Sequence, residues 1–150
     1  MPSLYEIRVD SSTKFTGNRY GKSTAAWTIY RKSDLIASGV IYYYNHGPNK
    51  VFYEGIIAAL SQIELEHLDK QWKAHIIVYG DCLSVIDQLN ARIAVKQLNK
   101  YYDKVKAYEK SFPNVIFEYM HQNERVAEYK IVDIMAKTGM DWILKSTVIK

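Results

Sequence analysis

Three aspartates occupy positions from which a metal centre can be built. Asp10 closes the segment LYEIRVD (4–10), whose apolar and polar residues alternate as in a strand. Asp81 comes directly after Gly80, which ends the short apolar run HIIVY (75–79). In open α/β sheets, functional sites gather at the carboxyl ends of strands, so these two side chains converge if their strands are neighbours. Converging carboxylates repel and desolvate one another unless a cation lies between them. Hard oxygen donors with open positions suit magnesium or manganese. Asp133 sits inside a helical pattern beside Val132, Met135 and Ala136, where an acidic side chain near a buried face needs a reason. Plainer roles stay open for each residue taken alone: an N-cap for Asp81, a solvated helix edge for Asp133.

The elements that must position these residues can be traced along the chain. After 4–10, residues 11–22 (SSTKFTGNRYGK) read as turn-rich. Residues 24–31 and 34–44 read as two strands joined by a short turn at Lys32 and Ser33, and 45–50 (NHGPNK) as a loop. Ile56, Ala59, Leu60 and Ile63 recur at helical spacing, 75–79 is a buried strand, and 82–90 a short helix. A second stripe (Leu98, Tyr101, Tyr102, Val105, Tyr108, Phe112) marks a helix that Pro113 and Asn114 stop. VIFEYM (115–120) is the last strand, and Val132, Met135, Ala136, Met140 and Ile143 mark a final helix. The order β-β-β-α-β-α-α-β-α predicts an α/β fold. Three antiparallel strands and two added in parallel make a five-stranded mixed sheet, flanked by helices. The tyrosines of the second stripe are expected in the core rather than stacked on bases.

Composition narrows the setting. The chain has 150 residues, 48% hydrophobic and 24% charged, with no linker or repeat, so one domain over 1–150 is expected. The single cysteine, Cys82, rules out an intramolecular disulfide and fits a reducing compartment. No apolar run is long enough for a membrane span, and the first residues carry no signal-like hydrophobic stretch, so no membrane partner is expected and the cytoplasm is the default. A net charge of +4 leans weakly toward polyanions. A monomer is the default state.

Order and spacing together resemble the ribonuclease H (type I) family within the ribonuclease H-like superfamily. IRVDSST (7–13) resembles its strand ending in Asp-Gly-Ser. VYGDCLSVID (78–87) is similar to its strand ending in Asp before a helix, and VDIMAKTG (132–139) to its Ala-Asp-x-Leu-Ala pattern. The segment 95–120 resembles its penultimate helix and fifth strand, in the compact form without a basic protrusion. The similarity spans about residues 4 to 145. It implies a metal-dependent endonuclease, a hydrolase that cuts the RNA strand of RNA–DNA hybrids with two Mg2+ or Mn2+ ions, one activating water and one stabilising the leaving oxygen. Asp10 would bridge both ions, with Asp81 and Asp133 on either side.

A fourth carboxylate, Glu54 in NKVFYEGIIAAL, is the implied counterpart of the family's helical Glu. The position with the family's spacing of small and apolar residues is Phe52, followed by Gly55, Ile56, Ala59 and Leu60. Glu54 lies two residues on, about 200° around an ideal helix. It either reaches the metals through a late helix start or remains a solvated first-turn acid. Asn123 falls where the bacterial form carries a mobile His; His121 either substitutes for it or is a surface residue. The family's Asn four residues before the last Asp is Tyr129. Ser12, Lys14, Asn49 and Lys50 complete the implied substrate-binding set, and Lys14, Arg19, Lys22 and Lys50 are expected in loops that touch phosphates. Two other readings stay open: an impaired module that binds nucleic acid or a protein without cutting it, and another nuclease on this fold, such as a junction resolvase.

Overall fold

The protein is described from a computed structural model, which gives the backbone over 3–16, 19–66, 74–120 and 127–145 and the side chains over 4–15, 21–65, 74–120 and 127–140. The elements are β1 (Ser3–Thr16), β2 (Arg19–Arg31), β3 (Asp34–Tyr44), α1 (Pro48–Glu66), β4 (Ala74–Gly80), α2 (Leu83–Leu89), α3 (Asn99–Ser111), β5 (Asn114–Tyr119) and α4 (Ala127–Lys145). They form one five-stranded sheet in the order β3-β2-β1-β4-β5. β1 pairs antiparallel with β2, and β2 with β3; β1–β4 and β4–β5 are parallel. The expected element order and mixed sheet are the ones observed.

Two segments differ from expectation, the hairpin 11–22 and the start of α1. The turn-rich segment 11–22 is mostly strand: β1 runs on to Thr16 and β2 begins at Arg19, with a register shift between Thr13 and Phe15. Polar residues on both arms of this hairpin hide the alternation that marks a strand, while ladder pairing holds them there. Helix α1 begins at Pro48, inside the segment read as a loop. Proline suits a first helical turn, where its missing N–H costs nothing. The turn at Lys32 and Ser33 is as expected, with φ of 51° and 71°. Positive φ at both central residues matches the twist of a tight hairpin.

The sheet is covered unequally. A large core joins it to α1, α2 and α3, through residues such as Tyr5, Ile7, Val9, Phe52, Ile56, Leu60, Ile76, Val78, Ile86, Val105 and Phe117. The α3 tyrosines Tyr101, Tyr102 and Tyr108 pack against this core half-buried. A smaller core joins the other face to α4, through Ala26, Met120, Tyr129, Val132 and Ala136. Close backbone approach explains two glycines on the first face. A Cβ on Gly55 would lie 2.7 Å from Val9 Cγ1, so α1 sits directly on β1. A Cβ on Gly80 would lie 2.0 Å from the Phe52 ring, so the residue before Asp81 must stay bare.

Candidate functional site

Asp10 pairs with Ala26 across the β1–β2 ladder, and Ala26 packs on Tyr129, Val132 and Ala136 of α4. Side chains alternate across a strand, so Asp10 shares the α4 face with Arg8 and Ser12, while Val9 turns to α1. The parallel register Val9↔Gly80 sets the next residues, Asp10 and Asp81, at adjacent strand ends. Asp133 comes down onto them from α4. Two hydrogen bonds fix that helix: the Tyr129 hydroxyl donates to the Val9 carbonyl at 2.6 Å, and the Thr24 hydroxyl to the Ala136 carbonyl at 2.9 Å. Sequence reasoning saw Tyr129 only as a departure from the family's Asn. It is a fully buried strut that seats α4 beside Asp10. Its place three and seven residues before Val132 and Ala136 on the apolar stripe was the available signal.

The electrostatics follow from this packing. Asp10 is 4% exposed. Burial first, then a hydrogen bond with Asp133 and the charge of Asp81, push its carboxyl up to about 8, against a lowering contribution from the Ser11 N–H at 2.8 Å. Asp10 therefore favours its protonated form far more than an exposed carboxyl would. Asp133 is also met by Lys137, whose ammonium lies 3.1 Å from Oδ2. The i,i+4 spacing of the two was visible in the sequence. On the same face, Arg8 lies between the rings of Tyr30 and Tyr79, at 5.2 and 5.1 Å, and pairs with Glu6 at 3.3 Å.

Glu54 is not brought to this cluster. Helix α1 packs on the opposite face, and the Glu54 carboxylate accepts a hydrogen bond from the Tyr43 hydroxyl. Burial, and then this bond, raise the Tyr43 pKa, so the phenol stays a donor. His46 stacks on the Tyr43 ring, with centroids 4.5 Å apart. The place nearest Asp81 on the α1 side is filled by Phe52, fully buried against Gly80. Among the described residues no three His, Cys, Asp or Glu side chains form a ready-made ligand set for an ion. Asp10 interacts with both Asp133 and Asp81.

The donor chemistry nonetheless suits a divalent cation. Asp10 is buried beside two further carboxylates, and a cation there would offset both the desolvation and the neighbouring charge that lift its carboxyl. Hard oxygen donors favour magnesium or manganese for that role.

The substrate-side residues divide. Ser12 is half-buried on the Asp10 face and Lys14 is exposed beyond it. Asn49 and Lys50 belong to the first turn of α1 rather than to a loop. Asn49 Oδ1 accepts from Cys82 Sγ at 3.2 Å and Ser84 Oγ at 3.3 Å, which ties that turn to the start of α2. The Lys50 ammonium stands 5.5 Å over the Tyr101 ring. Lys22 lies buried within β2, not in a loop, because the hairpin strands extend further than the sequence suggested. Arg19 is likewise in β2. His121 and Asn123 lie outside the described residues.

The mixed sheet in this order, with four helices, is the ribonuclease H-like fold. The chain belongs to the reverse transcriptase-like family, which it matches over residues 9–133, from the residue before Asp10 to Asp133 itself. Solved type 1 ribonuclease H1 structures share the fold at low identity. LC11-RNase H1, isolated from compost by a metagenomic approach, is 19% identical with a TM-score of 0.79, over 94% of this chain and 98% of that one. The same enzyme in complex with an RNA/DNA hybrid matches at 17% identity and a TM-score of 0.73, over 85% and 92%. The N-terminal RNase H domain of a Mycobacterium tuberculosis protein is 21% identical with a TM-score of 0.74, over 94% and 97%. No curated protein matches the chain. Among the described residues, no helix is long and apolar enough to cross a membrane.

Proposed function

We propose that this chain is a single ribonuclease H-type domain, 1–150, that binds RNA–DNA hybrids and hydrolyses their RNA strand in a reaction dependent on magnesium or manganese. The observation that carries this reading is the buried Asp10 carboxyl, held against Asp133 and Asp81 at the mouth of two neighbouring strands. The fold-level likeness to LC11-RNase H1, which was solved with an RNA/DNA hybrid, supports the choice of substrate.

Asp10 and Asp81 would hold the cation, with Asp133 completing the donor set from α4. A bound divalent ion supplies Lewis acidity toward a phosphoryl oxygen and lowers the pKa of its water. The remaining work falls to the chain. Tyr129 and Thr24 keep α4, and so Asp133, at a fixed distance from β1. Lys14 and Lys50 offer exposed or half-exposed charge to substrate phosphates, and Ser12 and Asn49 offer hydrogen bonds near the strand ends. A hybrid is read by shape and 2′-hydroxyls more than by sequence, so no base-specific contact is required.

Two observations favour a second reading. Phe52 fills the α1 side of the site and Glu54 is engaged by Tyr43, which together suit a module that binds a hybrid or another duplex and cuts it slowly or not at all. One experiment separates the two. A labelled hybrid is incubated with wild type and Asp10→Asn in parallel, in magnesium and in manganese. The leading reading expects cleavage by wild type, faster in manganese, and a loss of at least about a hundredfold in Asp10→Asn, the scale of several kcal/mol of charge stabilisation. No cleavage by wild type, with salt-sensitive binding of the hybrid intact, establishes the second reading.

A further inference from the structure

The two edges of the sheet are finished differently. β5 is short, with Glu118 exposed on it, and the Asn90 side-chain amide donates to the Phe117 carbonyl at 2.9 Å. A short strand, a charge and a covering group are devices that keep an outer strand from pairing with another chain. β3 at the other edge has eleven residues, none of them buried, whereas its neighbour β2 is mostly buried. From Leu35 to Tyr44 it holds no charged residue and no proline. At its midpoint, a Cβ on Gly39 would lie 2.3 Å from the Trp27 ring. The middle of the edge therefore stays bare, which lets another backbone come close. Helix α4 adds a roof. From Tyr129, bonded to Val9 of β1, to Gly139, packed on Val40 of β3, it advances about ten residues, or about 15 Å, while crossing two strand spacings, about 10 Å. About six further residues, to Lys145, carry it across roughly one more spacing. Beside β3, Ile134 and Gly139 of this helix line an apolar groove of about 370 Å³ with Val40 and Tyr42, and Ile134 is 62% exposed.

We propose that β3 is the interface of a homodimer, in which the β3 edges of two copies pair antiparallel about a twofold axis close to Gly39. The pairing joins the two five-stranded sheets into one and sets each α4 over the partner's edge. Charge selects the occupant and its direction. The chain carries +4 overall, and Arg31 and Lys32 stand exposed at the Asp34 end of the edge. Parallel pairing would stack those cations. Antiparallel pairing sets them at opposite ends of an edge about 37 Å long, several Debye lengths apart, with uncharged residues between. A symmetric pair also closes on itself, whereas pairing β3 to β5 would propagate from copy to copy. Area sets the strength. An edge about 37 Å long and about 10 Å deep buries roughly 400 Å² per copy, half the ~800 Å² of a stable interface. The α4 groove supplies part of the remainder, so the dimer forms at micromolar concentrations. Asp10 lies on β1, two strands inward, and stays open in both copies.

The test measures association and locates it. Sedimentation of the purified chain over about 1–200 μM should show a monomer–dimer equilibrium. Backbone hydrogen exchange over the same range should slow in β3 as concentration rises and stay unchanged in β5. Ser38 is exposed and lies beside the proposed axis. Ser38→Lys and Ser38→Asp each bring like charges together across that axis and should weaken the dimer about tenfold. An equal mixture of the two should associate again, as a heterodimer. Ser38→Thr, uncharged and suited to a strand, should behave as wild type. A chain that stays monomeric throughout, protection that grows outside β3, or a mixture that associates no better than either charged variant would overturn the proposal.

Discussion

The two faces of the sheet solve opposite problems with the same strands. On the α1 face, Val9, Phe52, Ile56 and Val78 meet in a dry core, and the polar groups at its margin are turned to one another, as Tyr43 is to Glu54. On the α4 face the core is small, and Asp10, Asp81 and Asp133 are left to repel one another beside it. One face is built for stability; the other accepts a local cost that a ligand can relieve. Strain confined to one face of a well-packed sheet is the pattern expected of a functional site.

The largest effect on stability is expected at the seam between the faces. Gly80→Ala puts a methyl group into the Phe52 ring, and overpacking of that kind should cost about 2–3 kcal/mol in denaturant unfolding. Phe52→Leu in the same chain should recover part of the loss. A neutral Gly80→Ala would mean that Phe52 does not sit where this account needs it.

The α4 face should show itself through pH. In the folded, cation-free chain the Asp10 carboxyl is pushed up to about 8 from an ordinary 3.8, so the folded state holds a proton that the unfolded chain has released. The resulting stability is full below the unfolded value and lost as pH rises through the folded one. In chelator, Tm should therefore fall by several degrees between about pH 4 and pH 8. Asp10→Asn should flatten that slope. Added manganese should raise Tm most at the alkaline end. A Tm that rises over this window would contradict the burial and carboxylate contacts assigned to Asp10.

Tyr129→Phe is expected to be milder. It leaves the buried Val9 carbonyl without its α4 donor and should cost about 1–2 kcal/mol. It should also weaken manganese binding, because Asp133 rides on that helix; stability loss with unchanged ion affinity would separate the strut from the site. The smallest effect is reserved for Glu54. Because Glu54 faces Tyr43 on the other side of the sheet, Glu54→Gln should alter hybrid cleavage by less than about twofold, in contrast to Asp10→Asn. A loss comparable to that of Asp10→Asn would mean that Glu54 crosses to the metal side when substrate binds.

Much of this division was legible in the sequence. Alternation in 4–10, the apolar run 75–79 and the helical stripes are local patterns, and they sufficed for the element order and for placing Asp10 and Asp81 at neighbouring strand ends. The hairpin tips at 11–16 and 19–22 were not legible, because Ser, Thr and Lys residues held by ladder pairing carry no apolar period. The start of α1 at Pro48 was masked by a glycine and a proline that usually signal a loop. The register mismatch at Phe52 could be counted, but its meaning needed Gly80 from a distant strand. The fate of Glu54 depended on Tyr43, eleven residues away on β3, and no spacing rule links those two. Tyr129 was hidden for the same reason: its partner is a backbone carbonyl 120 residues earlier.

The central claim is that the aspartate face, and not the Glu54 face, receives the cation. A crystal soaked in manganese, with anomalous scattering used to locate the ion, tests it most directly. The account predicts a peak within about 2.0–2.3 Å of carboxylate oxygens of Asp10 and Asp81, with Glu54 still bonded to Tyr43. A peak coordinated by Glu54, or no peak at Asp10, would contradict it.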